Sequence, residues 1–532
     1  MAETRCTGRS ASPGVAIGTL YILQSAIAGK RGAGTPAEED AALGRALAAA
    51  GAELAVLIEA AKGEAAEILS FQVAMLEDEE LAAPARAEIA GGVAADLAWR
   101  NALDAQIADY SASDDEYFRA RVSDLADIRD RVLQQLSGAQ LQALPHGAVI
   151  AAEDITPSRF LSHDWKRGGA IALAKGSPSS HVAMLARARQ VPMVVGLDFD
   201  MAKLKPGAPA IVDGAAGLII LDPEVESRQQ ASSRIADEAR AAAEAEHFLK
   251  RPAVTQDGTA VAVFINVASP DELNDLDPAI CDGIGLVRTE LLFHGASGLP
   301  DEEQQVAVYK RIVAWASGRP VIVRTLDAGG DKPIAGLTVE ESNPFLGLRG
   351  LRLSLQRPEV FRTQLRALCR AAVAGGLKIM LPMVTVPREL EAARQHLDAV
   401  VAELAAAGVA HKRPPLGIMV EVPSVAVMPD RFAADFFSIG SNDLTQYVMA
   451  AARDLSSVAH LADTADPAVL QLIERVADHA ACQGVEVSLC GDAASDPALV
   501  PHLLRCGLRK LSAAPGAVGR VKAAIAAIDL GT

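Results

Sequence analysis

Hydrophobic and polar residues follow one another along this chain in three textures, and each predicts a different architecture. Near the N-terminus a short β-prone run, residues 15–23, follows the turn Pro13-Gly14. From about residue 37 to 136 the pattern becomes helical, with Ala, Leu, Glu and Arg recurring and few Gly or Pro, as over residues 38–64, 65–75 and 125–136. That block predicts an α-helical hairpin or bundle. Strand-like runs return at residues 148–151, 170–175, 193–195, 210–212 and 217–221. They describe a small α/β domain. The first 23 residues are expected to rejoin its sheet, which makes the helical block an insertion. Residues 227–248, rich in Ala, Glu, Arg and Gln, carry no strand signal and predict one long linking helix.

Beyond residue 251 the alternation is regular. Eight β-rich runs, residues 260–267, 284–288, 321–324, 378–381, 416–420, 436–439, 486–489 and 509–511, alternate with helical spacers such as 301–315, 359–373, 387–406 and 467–483. Eight β/α units favour a closed (β/α)8 barrel over an open doubly wound sheet. The expected fold is therefore α/β multidomain. A small α/β domain (residues 1–23 and 143–226) carries an inserted α-helical subdomain (24–142). A helical linker (227–250) leads to a C-terminal TIM barrel (251–532).

Composition narrows the class. Hydrophobic residues make up 50% of the 532 but aromatics only 4%, so much of the apolar content is alanine, which suits helices and compact α/β packing. A formal net charge of −17 argues against nucleic-acid binding and is compatible with a basic protein partner. The six cysteines form no CxxC pair and no zinc-like spacing, which points to a reducing cytoplasm. The N-terminal segment lacks an apolar signal core, and no run of about 18 uninterrupted apolar residues occurs, so no membrane span is predicted.

The candidate chemistry centres on His181. The β-prone run Ala170-Ile171-Ala172-Leu173-Ala174 and the turn Gly176-Ser177-Pro178-Ser179-Ser180 precede it, and a helical pattern through Val182, Leu185 and Ala186 follows. Ser179 or Ser180 is the expected N-cap. Backbone N–H groups and the helix dipole at such a place disfavour an imidazolium and favour an added anion. That suits a phosphoryl-accepting imidazole; a structural histidine beside a cap fits the same stretch.

In a (β/α)8 barrel the active site lies at the C-terminal ends of the strands. The runs there end in Arg288-Thr289-Glu290, in Arg324-Thr325-Leu326-Asp327 with Lys332 soon after, in Glu421, in Ser441-Asn442-Asp443 with Arg453 soon after, and in Cys490-Gly491-Asp492. Arg288, Arg324, Lys332, Arg349 and Arg453 are five cations for phosphate and carboxylate oxygens. Glu421 and Asp443 offer two hard oxygen ligands, few enough for Mg2+ to keep substrate oxygens in its shell. Cys490 is placed to move a proton at carbon, or is a buried small residue.

Several motifs together resemble the enzyme I family of the bacterial phosphoenolpyruvate:sugar phosphotransferase system. They are Ser12-Pro13-Gly14-Val15-Ala16-Ile17-Gly18, residues 75–81, Asp154-Ile155-Thr156-Pro157-Ser158, residues 180–196, Gly283-Ile284-Gly285-Leu286-Val287-Arg288-Thr289-Glu290, residues 323–332, Asn343-Pro344-Phe345-Leu346-Gly347-Leu348-Arg349 and residues 436–446. The resemblance runs in the same order over nearly the whole chain. It implies that phosphoenolpyruvate phosphorylates His181 and that the phosphoryl group then passes to the carrier HPr, with release of pyruvate. It further implies that Arg288 and Arg324 hold the phosphate, that Glu421 and Asp443 bind Mg2+, and that Asn442 and Arg453 contact phosphate or carboxylate oxygens. Cys490 would protonate the enolate, the helical insertion would dock HPr, and the barrel would form a homodimer. The acidic stretch at 75–81 would suit a basic carrier face.

The turn before His181 departs from the family, which usually has Gly-Gly and Thr there; Ser179 keeps a hydroxyl at the Thr position. The tail after the last strand is short. No sensor domain is expected ahead of Ser12 and no fused carrier, which suggests a stand-alone enzyme. Two other readings compete. One is a fragment of a dikinase such as pyruvate phosphate dikinase or phosphoenolpyruvate synthase, which would need an ATP-binding module not visible in the sequence. The other is a non-catalytic regulatory homologue, which would have no need to keep His181, Arg288, Arg324, Glu421, Asp443 and Cys490 together.

Overall fold

The computed structural model describes residues 3–531 apart from 24–31, 33, 61–63, 113–120, 139–142, 179, 294–298, 331, 335, 340, 454 and 456. The chain divides into two compact units, Met1–Ala239 and Arg240–Thr532.

The first unit is built on a mixed eight-stranded sheet in the order β1-β8-β7-β3-β4-β5-β6-β2. The strands are β1 Thr4–Thr7, β2 Arg9–Ser12, β3 Val15–Ile22, β4 Val149–Ala152, β5 Ala170–Leu173, β6 Met193–Val195, β7 Pro209–Asp213 and β8 Leu218–Leu221. β3 runs antiparallel to β7 and parallel to β4, so the N-terminal run does enter this sheet. β1 and β2 have no counterpart in the hydrophobic pattern. Their sequences, TRCT and RSAS, are mostly polar, and they pair at the two ends of the order, where one side of a strand stays free.

Between β3 and β4 the chain forms helices Pro36–Ala60, Glu64–Glu77, Glu79–Ala90, Ala95–Ala112 and Val122–Ser137. Leu43, Leu54, Leu69, Trp99, Leu103, Ile128 and Val132 form a core separate from that of the sheet. Asp78 accepts from the Glu80 N–H and so caps helix Glu79–Ala90. The segment Pro36–Ile58 is long and apolar enough, by length and composition alone, to cross a membrane. It nevertheless buries Leu43, Ala46, Ala50 and Leu54 in the helical core, and its Glu39 accepts from the Ala95 N–H at 2.8 Å.

A single helix, Val225–Leu249, carries the chain from one unit to the next. Glu3 accepts from Ser227 Oγ at 2.6 Å near its start, and Lys522 donates to the Leu249 carbonyl at 2.9 Å at its end.

In the second unit, β9 (Ala253–Val254) pairs antiparallel with β10 (Ala260–Val267). β10 then opens a parallel set with β11 Ile284–Val287, β12 Val321–Arg324, β13 Leu377–Leu381, β14 Leu416–Val420, β15 Phe436–Gly440, β16 Glu486–Cys490 and β17 Lys510–Ala513. β10 pairs with both β11 and β17, so these eight strands close into a barrel. Alternate residues explain how it fills. Ile284, Val323, Ile379, Ile418, Ile439 and Leu489 belong to the large cluster shared with the surrounding helices. Leu286, Ile322, Met380, Met419, Phe436 and Cys490 form a second cluster. Small residues make room for it: a Cβ on Gly417 would stand 2.5 Å from the Phe436 ring. The polar strand-end residues are thereby delivered to one rim.

Candidate active site

At the C-terminal ends of β11, β12, β14, β15 and β16 a cavity of about 260 Å3 opens. Its lining includes Arg288, Arg324, Lys332, Glu421, Asn442, Asp443, Arg453 and Cys490, which are eight of the nine rim residues singled out above. The ninth, Arg349, does not line it. Arg349 is fully buried behind the cavity, with Nη2 2.8 Å from Asp327 Oδ2 and 3.2 Å from Asp443 Oδ2.

Asp327 is the hub of this charge network. Arg324 Nη1 lies 3.2 Å from its carboxylate and Lys332 Nζ 3.9 Å. Burial alone would raise its pKa, but the charges of Arg324, Arg349 and Lys332 outweigh that and hold Asp327 well below the usual carboxylate range. Arg324 also donates to Glu290 at 2.7 Å, and its buried Nε has no hydrogen-bond partner among the described residues. A guanidinium clamped along one edge, with a free donor left over, is prepared for an anionic ligand.

The two candidate metal ligands are both buried. Glu421 accepts from the Met383 N–H at 2.6 Å, and Met383 sits in the left-handed region at φ 57°, a strained placing for a side chain of that size. Burial, then the like charges of Asp443 and Asp327, push the Glu421 pKa up. Asp443 Oδ1 is buried without a hydrogen-bond partner among the described residues, and Arg453 Nη1 stands 3.8 Å from it. Two crowded carboxylates with an orphaned oxygen are what a divalent cation would relieve, so the donor set fits one.

Asn442 is fixed by Asp492: its Nδ2 donates to Oδ2 at 3.0 Å and its Oδ1 accepts from the Asp492 N–H at 2.9 Å. Gly491, at φ 107°, lets the backbone pass, since a Cβ there would stand 2.3 Å from Ser441 Oγ. Cys490 is buried, with Sγ 3.6 Å from both Ser438 Oγ and the Ile439 carbonyl. Burial pushes its thiol pKa up.

On the first unit, His181 is the first residue of helix His181–Ala188. Ser180 is the N-cap, its side chain accepting from the Ala183 N–H at 3.3 Å. Ser179, the other cap candidate, lies outside the described residues. His181 Nδ1 is 3.4 Å from Asp124 Oδ1, on helix Val122–Ser137.

The sequence reading did not single out Asp124, and it named Glu290 and Asp327 only in passing. A signal for Asp124 existed. With Asp127 it interrupts a helix face whose other buried positions include Leu125, Ile128, Val132, Leu133 and Leu136.

Three family models match the chain in succession: PEP-utilising enzyme, N-terminal, over residues 7–121; PEP-utilising enzyme, mobile domain, over 144–217; and PEP-utilising enzyme, PEP-binding domain, over 242–530. Those modules and a cation-lined barrel rim define the phosphoenolpyruvate-utilising class of enzymes. The phosphoenolpyruvate-protein phosphotransferase of Geobacillus stearothermophilus is 39% identical over 96% of this chain and 91% of its own length. That of Listeria innocua is 36% identical over 98% and 94%. A solved NMR structure of Enzyme I is 29% identical, covering 44% of this chain and 99% of its own, at a TM-score of 0.36. The chain belongs to the phosphoenolpyruvate-protein phosphotransferase family.

Proposed function

We propose that this enzyme takes the phosphoryl group of phosphoenolpyruvate onto His181 and passes it to a histidine of an HPr-like carrier, releasing pyruvate. The observation that carries the reading is the rim cavity, where Arg288, Arg324, Lys332 and Arg453 face Glu421 and Asp443 in a space of small-metabolite size.

Phosphoryl transfer demands position and charge neutralisation more than covalent work. Arg288 and Arg324 hold the phosphate, while Asn442 and Arg453 hold the remaining phosphate or carboxylate oxygens. Lys332 adds a mobile cation. Arg349 acts through Asp327 and Asp443 rather than on substrate. Glu421 and Asp443 would hold Mg2+, which supplies neutralisation of substrate oxygens when bound. As the phosphoryl group leaves, negative charge collects on the enolate, and Cys490 gives its proton to carbon to form pyruvate. The raised thiol pKa keeps that proton loaded at neutral pH, and Ser438 Oγ, within 3.6 Å, is placed to donate to the thiolate left behind.

The acceptor histidine and the substrate cavity belong to different units joined by the helix Val225–Leu249, so transfer requires His181 to meet the barrel rim, and in this reading that helix carries the swivel. In this reading residues 1–23 and 143–226 are the phosphohistidine domain and 24–142 the carrier-docking insertion. Residues 227–250 are the linker, and 251–532 the substrate-binding and dimerisation domain. Exposed Glu77, Asp78, Glu79 and Glu80 support steering of a basic carrier. Exposed Val339, Leu346, Leu455 and Leu461 on the barrel unit are apolar surface that a second copy would cover. Six free cysteines support a cytoplasmic location.

Incubation with radiolabelled phosphoenolpyruvate and Mg2+ should give an acid-labile label on the protein. His181→Ala should abolish it while substrate still binds the barrel. A label that survives this substitution sinks the acceptor assignment, and labelling by ATP would favour dikinase chemistry.

A further inference from the structure

We propose that Asp124, carried by the helical block, is the positioning residue that fixes the ring of His181 and its tautomer. The inference rests on the reading of His181 as phosphoryl acceptor. Both oxygens of the Asp124 carboxylate lie 3.4 Å from His181 Nδ1. The Asp124 side chain exposes no surface, and that of His181 only 15%. A carboxylate on the core face of a helix is costly unless donors surround it. Here they do. Gln72 Nε2 reaches Asp124 Oδ1 at 3.3 Å, and Arg121 Nη1 reaches Oδ2 at 3.3 Å.

The same glutamine ties Asp124 to a second buried acid. Gln72 Nε2 lies 3.2 Å from Asp127 Oδ2, and Asp127 accepts from both the N–H and the hydroxyl of Ser158, at 2.9 and 2.5 Å. Ser158 sits on helix Pro157–Leu161, just beyond β4 of the sheet. The sheet domain that carries the histidine thus anchors Asp127, and Gln72 links that carboxylate to the one that faces His181.

An acceptor at Nδ1 requires the ring to carry its proton there. Nε2 then holds the free lone pair. When Nε2 attacks phosphorus, the N–P bond forms and the bond from phosphorus to the enol oxygen breaks. The electron pair leaves with the enolate. The ring keeps its Nδ1 proton and becomes positively charged. The helix N-terminus disfavours that charge, and Asp124 sits where it builds and offsets it. On transfer to the next acceptor the ring returns to its neutral Nδ1–H form without exchanging a proton. The helical block is therefore part of the phosphorylation machinery as well as a surface for the carrier.

The test compares the full-length protein with its Asp124→Ala, Asp124→Asn and Asp124→Glu variants. The ring-nitrogen shifts of His181 are read by long-range 1H–15N correlation, alongside the rate of labelling by phosphoenolpyruvate. The unsubstituted protein should show the Nδ1–H tautomer. Asp124→Ala should move the ring toward Nε2–H and slow labelling by about 100-fold, the scale of a misoriented reacting group. Asp124→Glu should restore part of both. Should the Ala variant fail to fold, the isosteric Asp124→Asn carries the test through its loss of charge, with labelling again expected to fall at least tenfold. An Nε2–H ring in the unsubstituted protein overturns the proposal, as does labelling within threefold in both the Ala and Asn variants. An Nδ1–H ring with the phosphoryl group mapped to another residue overturns it through the acceptor assignment, and so tells the two failures apart.

Discussion

Arg349 Nη2 lies 2.8 Å from Asp327 Oδ2, and neither side chain exposes any surface to solvent. Two charges so placed stabilise each other only while both are present. Arg349→Met would leave Asp327 buried and short of one partner, at a cost of about 3–5 kcal/mol. Urea denaturation of the variant checks it. Adding Asp327→Asn should recover part of the loss, so the double-mutant cycle should show coupling of at least about 1 kcal/mol. Additive losses would mean that Arg349 is held by something other than this pair.

A second ion pair governs acid behaviour at the start of the linking helix. Arg234 pairs with Asp213 at the end of β7, its Nη2 3.3 Å from Oδ1, and Asp213 also accepts from the Ala216 N–H at 3.0 Å. Burial works against the charged form, but these donors outweigh it and hold Asp213 below its ordinary pKa. A carboxyl lowered in the folded state stabilises above its unfolded pKa of about 4 and loses that contribution as pH falls through the folded value. Arg234 is half exposed, so the effect is at most about 1 kcal/mol. Protection factors around residue 234, with hydrogen exchange corrected for its intrinsic pH dependence, should fall below about pH 4 relative to neutral pH. Arg234→Gln should reduce that pH dependence, leaving the part owed to the Ala216 N–H, without changing the rest of the unit.

Cys490 and Cys482 differ in the one property that controls thiol reactivity. Cys482 is exposed, whereas Cys490 is buried with its pKa raised. At pH 8 iodoacetamide should modify Cys482 at least tenfold faster than Cys490, as peptide mapping would show. Cys490→Ala should slow pyruvate formation by about 100-fold or more, the range of a lost general acid, while phosphoryl exchange with HPr slows much less. Equal loss of both reactions would count against a role in protonation.

The fold was legible because its elements obey local rules. The barrel strands start and stop within two residues of the hydrophobic runs that predict them, since each is a short apolar stretch bounded by a turn and followed by a helix. β1 and β2 were not legible, because TRCT and RSAS become strands only by pairing with β8 and β6. For the site, residue type and rim position were enough to select Arg288, Arg324, Glu421 and Asp443 as candidates. They could not say on which side of the rim a guanidinium points, so Arg349 looked like a substrate contact and is instead buried behind Asp327. Asp124 was hidden for a related reason. Its partner His181 stands 57 residues away, and no sequence period joins a helix face to a strand-end turn.

The two candidate metal ligands should trade stability for activity. Glu421 and Asp443 are both buried, and burial first, then the like charges of Asp443 and Asp327, push the Glu421 pKa up. Without a cation this is a repulsive arrangement, and the orphaned Asp443 Oδ1 adds to its cost. Glu421→Gln makes permanent the neutral form that the raised pKa favours, keeps the shape and leaves an amide oxygen to accept from the Met383 N–H. In the metal-free protein it should therefore raise stability by about 0.5–2 kcal/mol. That would appear as an increase in Tm of a few degrees in the presence of EDTA. Added Mg2+ should raise Tm of the unsubstituted protein and leave that of the variant nearly unchanged, because the ligand pair is broken. Labelling by phosphoenolpyruvate should fall by about 100-fold or more in the variant, since neutralisation of the phosphate oxygens is lost. A Glu421→Gln protein that is less stable without metal, yet still gains Tm and activity from Mg2+, would show that Glu421 serves the barrel and not the ion.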